Sequence, residues 1–271
     1  MKKLPMLIAI LLWMHNAVAQ TGLFVYTSTT NTSFAETPAE ERYLDDLYNT
    51  GFLYILNDFS IYRENISDSI ILKKSENKGA IIRNKVAKGK RDTLGSLYLK
   101  DQSNTKWLSR VHSYDKESFS FIEEPISQIN WTMTNESKTI GSLQCFKATC
   151  TAFGRNWEAW YAPAIALAEG PWKLHGLPGL IVEARDSAGR YSFSLSKMES
   201  PIEILLQQEA TALKEKLQKS RFMTKQAFTA AEAKKKDDEK RGRMARMAAA
   251  VNENIANINV KIDFPETIEK Y

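Results

Sequence analysis

Cysteine is scarce in this 271-residue chain: Cys145 and Cys150 are the only two. That excludes a disulfide-dense scaffold, in which several bridges stand in for a core. On one continuous strand two residues five apart face opposite sides, ~16 Å from each other, whereas a bridge tolerates a Cα separation of about 7 Å. Two free, buried thiols are therefore expected. Histidine is nearly as rare, and only His112 and His175 lie beyond the first twenty residues. There is no HExxH, no cysteine–histidine cluster and no two-histidine spacing, so no metal is expected. No Gly-x-Ser-x-Gly elbow presents a nucleophile, and no glycine-rich loop opens a helix to hold a phosphate. No cofactor is expected either. After residue 20 no apolar run is long enough to span a bilayer, and no repeat or low-complexity linker divides the chain.

What is present begins with an export signal. Lys2 and Lys3 precede an apolar run from Leu4 to Trp13, and Ala17, Val18 and Ala19 form a small-residue cleavage site. Residues 1–19 read as a signal peptide, and the mature chain is expected to be exported to the periplasm or the cell surface. Loss of Lys2 and Lys3 takes the formal charge from +5 to +3, which is mild. Export and weak charge together make nucleic acid a poor partner.

Thr37, Pro38 and Glu40 make a capping box with proline at the first helical position, so a helix is expected to run to Thr50 and stop at Gly51. Gly22 to Thr27 and then Phe52 to Tyr62, the latter broken at Asn57 and Asp58, are β-prone. Short strands follow at about 80–86, 94–100, 106–113, 117–122, 128–134, 139–152 and 155–161, with turn formers between them. Their close spacing predicts an antiparallel meander instead of βαβ units. Ser200, Pro201 and Glu203 make a second capping box. Leu206, Ala210, Leu213 and Leu217 follow at helical spacing to about Ser220. A longer helix is expected from Thr224 to about Ala256, with a stripe of Met244, Met247, Ala248, Val251 and Ile255 that must bury against something. Residues 260–264 could add a last strand. The expected fold is α+β: a twisted antiparallel sheet over residues 20–199 with one N-terminal helix, and a C-terminal helical segment, two helices in all, over residues 200–271.

One stretch organises the rest. Gly176, Leu177, Pro178 and Gly179 read as a tight type II turn, with Pro178 fixing φ and Gly179 taking a positive φ. Leu180, Val182 and Ala184 then share one strand face and Ile181, Glu183 and Arg185 the other. After the turn at Asp186 to Gly189, Tyr191, Phe193 and Leu195 alternate with serines. Gly176 to Ile181 resembles the name-giving motif of the GLPGLI family, secreted envelope proteins of bacteria. Lys138 to Gly141, Cys145, Lys147, Ala148, Gly154, Arg155, Ala159 to Tyr161, Gly170 and Pro171 continue the likeness across residues 131–196. The resemblance implies an address and an architecture and carries no activity with it. The same run is also similar, at a distance, to lipoprotein-carrier proteins of the bacterial envelope, which implies a half-barrel sheet around a greasy cavity plugged by helices.

The candidate binding residues cluster at the motif: Arg155, Trp157, Trp160, Trp172 and His175. Trp157, Ala159 and Tyr161 share a strand face opposite Glu158 and Trp160, so one set is expected in the core. The other either lines a groove for a ligand or, as the simpler reading has it, packs as core or helix–sheet contact like the rest of the cluster. His175 beside Glu158, Glu183 or Asp186 would suit general acid–base work, and its simpler reading is a partly exposed loop histidine bonded to backbone. The leading expectation is a non-catalytic envelope protein that binds an apolar or aromatic ligand, or a partner protein, against the concave sheet. A hydrolase-like enzyme using His175 and a scaffold docking through the C-terminal helices are the alternatives. The charges from Lys214 to Arg246 read as a solvated helix face, with peripheral contact to an acidic membrane as a further reading.

Overall fold

A computed structural model describes residues 21–30, 47–65, 94–112 and 118–257. The β-prone, alternating segments form β1 (Gly22–Thr30), β2 (Leu47–Ile55), β3 (Phe59–Asn65), β4 (Ser96–Asp101), β5 (Lys106–His112), β6 (Phe119–Pro125), β7 (Thr132–Ile140), β8 (Leu143–Ala152), β9 (Arg155–Ala162), β10 (Leu180–Asp186) and β11 (Tyr191–Glu199). Helix α1 (Ile204–Gln218), the two-residue β12 (Met223–Thr224) and helix α2 (Lys225–Asn257) follow. The strands make one sheet in the order β12-β6-β5-β4-β3-β2-β1-β11-β10-β9-β8-β7. All neighbours are antiparallel except β12 and β6. Two meanders, β1–β6 and β7–β11, are thus joined where β1 pairs with β11. The expected α+β class with an antiparallel sheet is what the chain adopts.

The sheet cannot be flat. β6 and β7 lie ten strand spacings apart, ~48 Å if flat, yet residues 126–131 join them and reach at most about 24 Å. Across the same face, Trp172 touches Tyr98 on β4 at 6.2 Å and Trp157 on β9 at 5.8 Å. In a flat sheet those strands would be ~29 Å apart. The sheet therefore curls toward the side on which Trp172 sits, and that side is its concave face.

Alternation gives each face its own core. The concave face buries Phe24, Tyr26, Leu53, Tyr62, Trp157 and Phe193 together with Leu174, Leu177, Leu180 and Ile181. On the convex face of the first meander, Leu23, Tyr54, Ile61, Leu97 and Leu99 receive Ala210, Leu213 and Leu217 of α1. Arg63 to Glu209 (2.8 Å) and Lys214 to Asp58 (2.6 Å) flank that contact. The helix nearest the sheet thus covers its outside, not its cavity. Residues 163–179, with no helix or strand of their own, fill the concave face instead.

Several local expectations are corrected. Leu47 to Thr50 belong to strand β2, not to a helix, because β2 pairs with β1 in continuous register from Gly22–Ile55 to Thr30–Leu47. The rest of that expected helix, the signal peptide and the expected strands at 80–86 and 260–264 lie outside the described residues. The expected strands at 128–134 and 139–152 are instead a hairpin of β7 and β8 turning at Gly141, whose φ is +59°. Ser200 does not cap α1. Its hydroxyl donates to Thr21 O (3.0 Å), and the helix begins later, at Ile204, behind Glu203. Strand β10 carries a bulge between Ile181 and Glu183, so Ile181 joins Leu180 on the concave face while Val182 packs on the outside with Cys145 and Ala162. Cys145 and Cys150 are both free and buried. They lie in different cores, as the five-residue parity requires. Helix α2, ~50 Å long by helical rise, contacts the sheet chiefly at β6 and β12. Its expected apolar stripe is not buried at Met244 or Met247, which are 61% and 70% exposed.

Candidate functional site

The segment 163–179 is shaped by close approach. Gly170 leaves no room for a side chain: a Cβ there would lie 2.8 Å from Ile181 Cβ and 2.9 Å from Leu174 O. A Cβ on Gly179 would meet Ala162 O at 2.4 Å, and φ there is +153°. The turn itself is not type II. Gly179 N–H donates to Leu177 O (2.8 Å) around Pro178, a three-residue γ-turn, and Leu180 N–H goes to Ile165 O (3.0 Å). Glycine is required by the carbonyl of Ala162 more than by a left-handed turn. Further backbone bonds, Gly176 N–H to Ala168 O (3.0 Å) and Ile181 N–H to Glu169 O (3.0 Å), fold the segment onto itself and onto β10. Trp131 Nε1 donates to His175 O (2.8 Å).

Charges seat this segment on one transverse row of the sheet. Register places Glu124 beside Trp107, Trp107 beside Lys100, and Lys100 beside Ser60, across β6, β5, β4 and β3. Each meets a partner from the segment. Lys173 pairs with Glu124; His175 lies edge-on to Trp107 at 5.7 Å; Glu169 takes Lys100 Nζ at 2.7 Å and the Ser60 hydroxyl at 3.2 Å. All four charged side chains are buried. Glu124 also receives Lys225 Nζ at 3.0 Å, from the first turn of α2. Burial works to raise the Glu124 carboxyl, but the bonds from Lys173 and Lys225 outweigh it and hold it below the usual carboxylate range. Burial pushes the Lys173 ammonium down.

His175 is buried, with Nδ1 2.9 Å from Lys173 O. Burial first, then the charge of Lys100, lowers its pKa. It is bonded to backbone, as its simpler reading holds, but it is not exposed. None of the three expected carboxylates pairs with it. Glu158 holds Lys147 (3.0 Å) and Arg185 (3.2 Å), Glu183 holds Lys138 (2.5 Å), and Asp186 holds Arg155 (2.8 Å).

The aromatic candidates separate by face. Trp157 is buried in the concave core and Trp172 is half-buried against it, touching Phe153 at 4.8 Å. Trp160 stands on the outer face under Lys138 Nζ, 4.4 Å from its ring. Arg155 bridges Asp186 and the ring of Tyr191 (4.6 Å), and Asp186 also accepts the N–H groups of Arg190 and Tyr191. Two open grooves border these residues. One of about 790 Å³ runs past Asn130, Thr132, Thr149, Thr151, Asn156 and the edge of Trp157 to Arg185 and Asp186. The other, about 460 Å³, lies over Trp160 among Lys138, Lys147, Glu158 and Glu183. Among the described residues no group of three or more His, Cys, Asp or Glu side chains could hold a metal, and no helix is long and apolar enough to cross a membrane.

Sequence reasoning missed Ser60, Lys100, Glu124, Glu169 and Lys173. A signal existed for one of them: alternation in Ser96 to Asp101 puts Lys100 on the same face as Tyr98, an inward position for a cation. Its partner lies 69 residues away, and nothing local announces it.

No family model matches the chain, and no curated protein matches it. Among solved structures, PNGF-II in the C2 space group matches with 13% identity and a TM-score of 0.45, over 76% of this chain and 31% of that one. PNGF-II in the P21 space group matches with 14% identity and a TM-score of 0.46, over 79% and 33%. The chain therefore spans about a third of the length of these solved structures.

Proposed function

We propose that this is an exported bacterial envelope protein of the GLPGLI type that works by binding and not by catalysis. The curl of its sheet supports the half-barrel that the lipoprotein-carrier likeness implies, with residues 163–179 lying on the concave face where a guest would sit. The observation that carries the proposal is the groove of about 790 Å³ beside Trp157, whose lining does not include His175. Hydroxyls, side-chain amides and Trp157 line it together with the charged Glu158, Arg185 and Asp186, which suits a ligand with polar groups along an apolar body. The catalytic alternative loses support because His175 holds a backbone carbonyl and each carboxylate expected beside it is bound to a cation elsewhere. Thr149→Arg should fill the groove. After exposure to an envelope extract, native mass spectrometry is expected to show a bound small molecule on the parent and on His175→Gln, and none on Thr149→Arg. Turnover of ester, peptide or glycoside substrates by the parent, lost in His175→Gln, would overturn the reading. The exposed Met244 and Met247 on a helix mostly clear of the sheet favour a second reading, a scaffold whose long helix meets an envelope partner.

A further inference from the structure

The way Glu169 is held has the form of a ligand contact. Its two carboxylate oxygens take a lysine and a serine hydroxyl, Lys100 and Ser60, both fixed on the sheet and both buried. Next to that head group the same segment lays Trp172, Leu174 and Leu177 on the concave apolar face. Carboxylate and apolar body together occupy the floor of the sheet as an acidic amphiphile would. A buried ion pair is a poor way to secure a segment, since well-packed apolar residues of the same size hold at least as firmly. It is a good way to leave behind, when the segment lifts, a cation and a hydroxyl that another carboxylate can take. A second charged tie, Glu124, is shared: Lys173 of the segment and Lys225 of α2 both grip it.

We propose that residues 163–179 are an internal occupant of a second binding site, and that the site takes a long-chain carboxylate, its head on Lys100 and Ser60 and its chain along the concave face. The inference rests on the reading of this protein as a binder, but at a different place from the groove beside Trp157. Glu169→Gln weakens the internal occupant while leaving Lys100 and Ser60 in position. Laurate titrated by calorimetry is expected to bind Glu169→Gln at least tenfold more tightly than the parent. Dodecanol, which has the chain without the head, and acetate, which has the head without the chain, should each bind at least tenfold more weakly than laurate. Lys100→Met/Glu169→Gln, which removes both charges and so avoids a lone buried ion, should lose the laurate gain. Circular dichroism and the thermal midpoint of each variant establish that it is folded. Laurate binding to the folded double variant as tightly as to Glu169→Gln would overturn the proposal, as would no laurate binding to folded Glu169→Gln. Thr149→Arg in the Glu169→Gln background separates the two sites: laurate binding is kept there if this proposal holds, whatever becomes of the groove.

Discussion

Two sets of ion pairs in this molecule look alike on paper and behave differently. On the outer face of the second meander, Lys138 with Glu183 and Arg185 with Glu158 lie at 2.5 and 3.2 Å, and their side chains are between a quarter and two-thirds exposed. Under the 163–179 segment, Lys100 with Glu169 and Lys173 with Glu124 are all about nine-tenths buried. Water screens the first set and has been removed from the second. In water an ion pair gains little, while in the interior each charge relies on its partner because solvation has been lost. The difference shows that the segment is seated by charges that cannot be left single, and that the outer charges mainly keep a sheet face wet.

The largest expected effect follows from breaking one inner pair. Lys100→Met should destabilise by ~3–5 kcal/mol, since Glu169 is left buried without its cation, and Lys100→Met/Glu169→Met should recover most of that loss. Urea unfolding of the two variants measures both values. Gly179→Val comes next, at roughly 1–3 kcal/mol, because its Cβ would meet Ala162 O at 2.4 Å with φ at +153°. A thermal melt that overlays the parent would show that the segment gives way there.

A smaller effect is expected from pH. His175 has its folded pKa lowered by burial and by Lys100, so the unfolded chain binds the proton more readily. Stability is then unaffected by this group above the unfolded value of about 6.5 and falls as pH drops below it. His175→Gln should flatten the decline in thermal midpoint between pH 7 and pH 5 relative to the parent. The smallest effect is expected outside: Lys138→Ala should change stability by no more than about 1 kcal/mol in urea unfolding. A loss as large as that of Lys100→Met would erase the contrast between the two faces.

The sequence made the strands legible because alternation is local, and β4, β5, β9, β10 and β11 lie close to where period and turn residues place them. It also placed Trp157 and Trp160 on opposite faces and kept Cys145 and Cys150 apart. It failed where a distant partner decides. Leu47 to Thr50 follow helix-favouring residues, yet nine paired positions against β1 draw them into the sheet. Val182 leaves the expected face because a bulge sends Ile181 inward, where its carbonyl meets Tyr26 OH at 2.8 Å. The turn at Pro178 could not be typed because Leu180 N–H goes to the distant Ile165 O and Gly179 is fitted to the carbonyl of Ala162, neither of which its own four residues announce. The surroundings of His175 could not be read locally, because Trp107 and Lys100 come from β5 and β4, about 70 positions earlier in the chain.

Amide hydrogen exchange tests most directly whether buried charge, and not the fold at large, seats the 163–179 segment. The N–H groups of Gly176, Leu180 and Ile181 are bonded within or against that segment, and those of the β7–β8 hairpin are not. In Glu169→Gln, exchange at Gly176, Leu180 and Ile181 is expected to rise at least tenfold while the hairpin stays at the parent rate, and Glu183→Gln should alter neither. Equal acceleration in both regions of Glu169→Gln, or none in either, would contradict it.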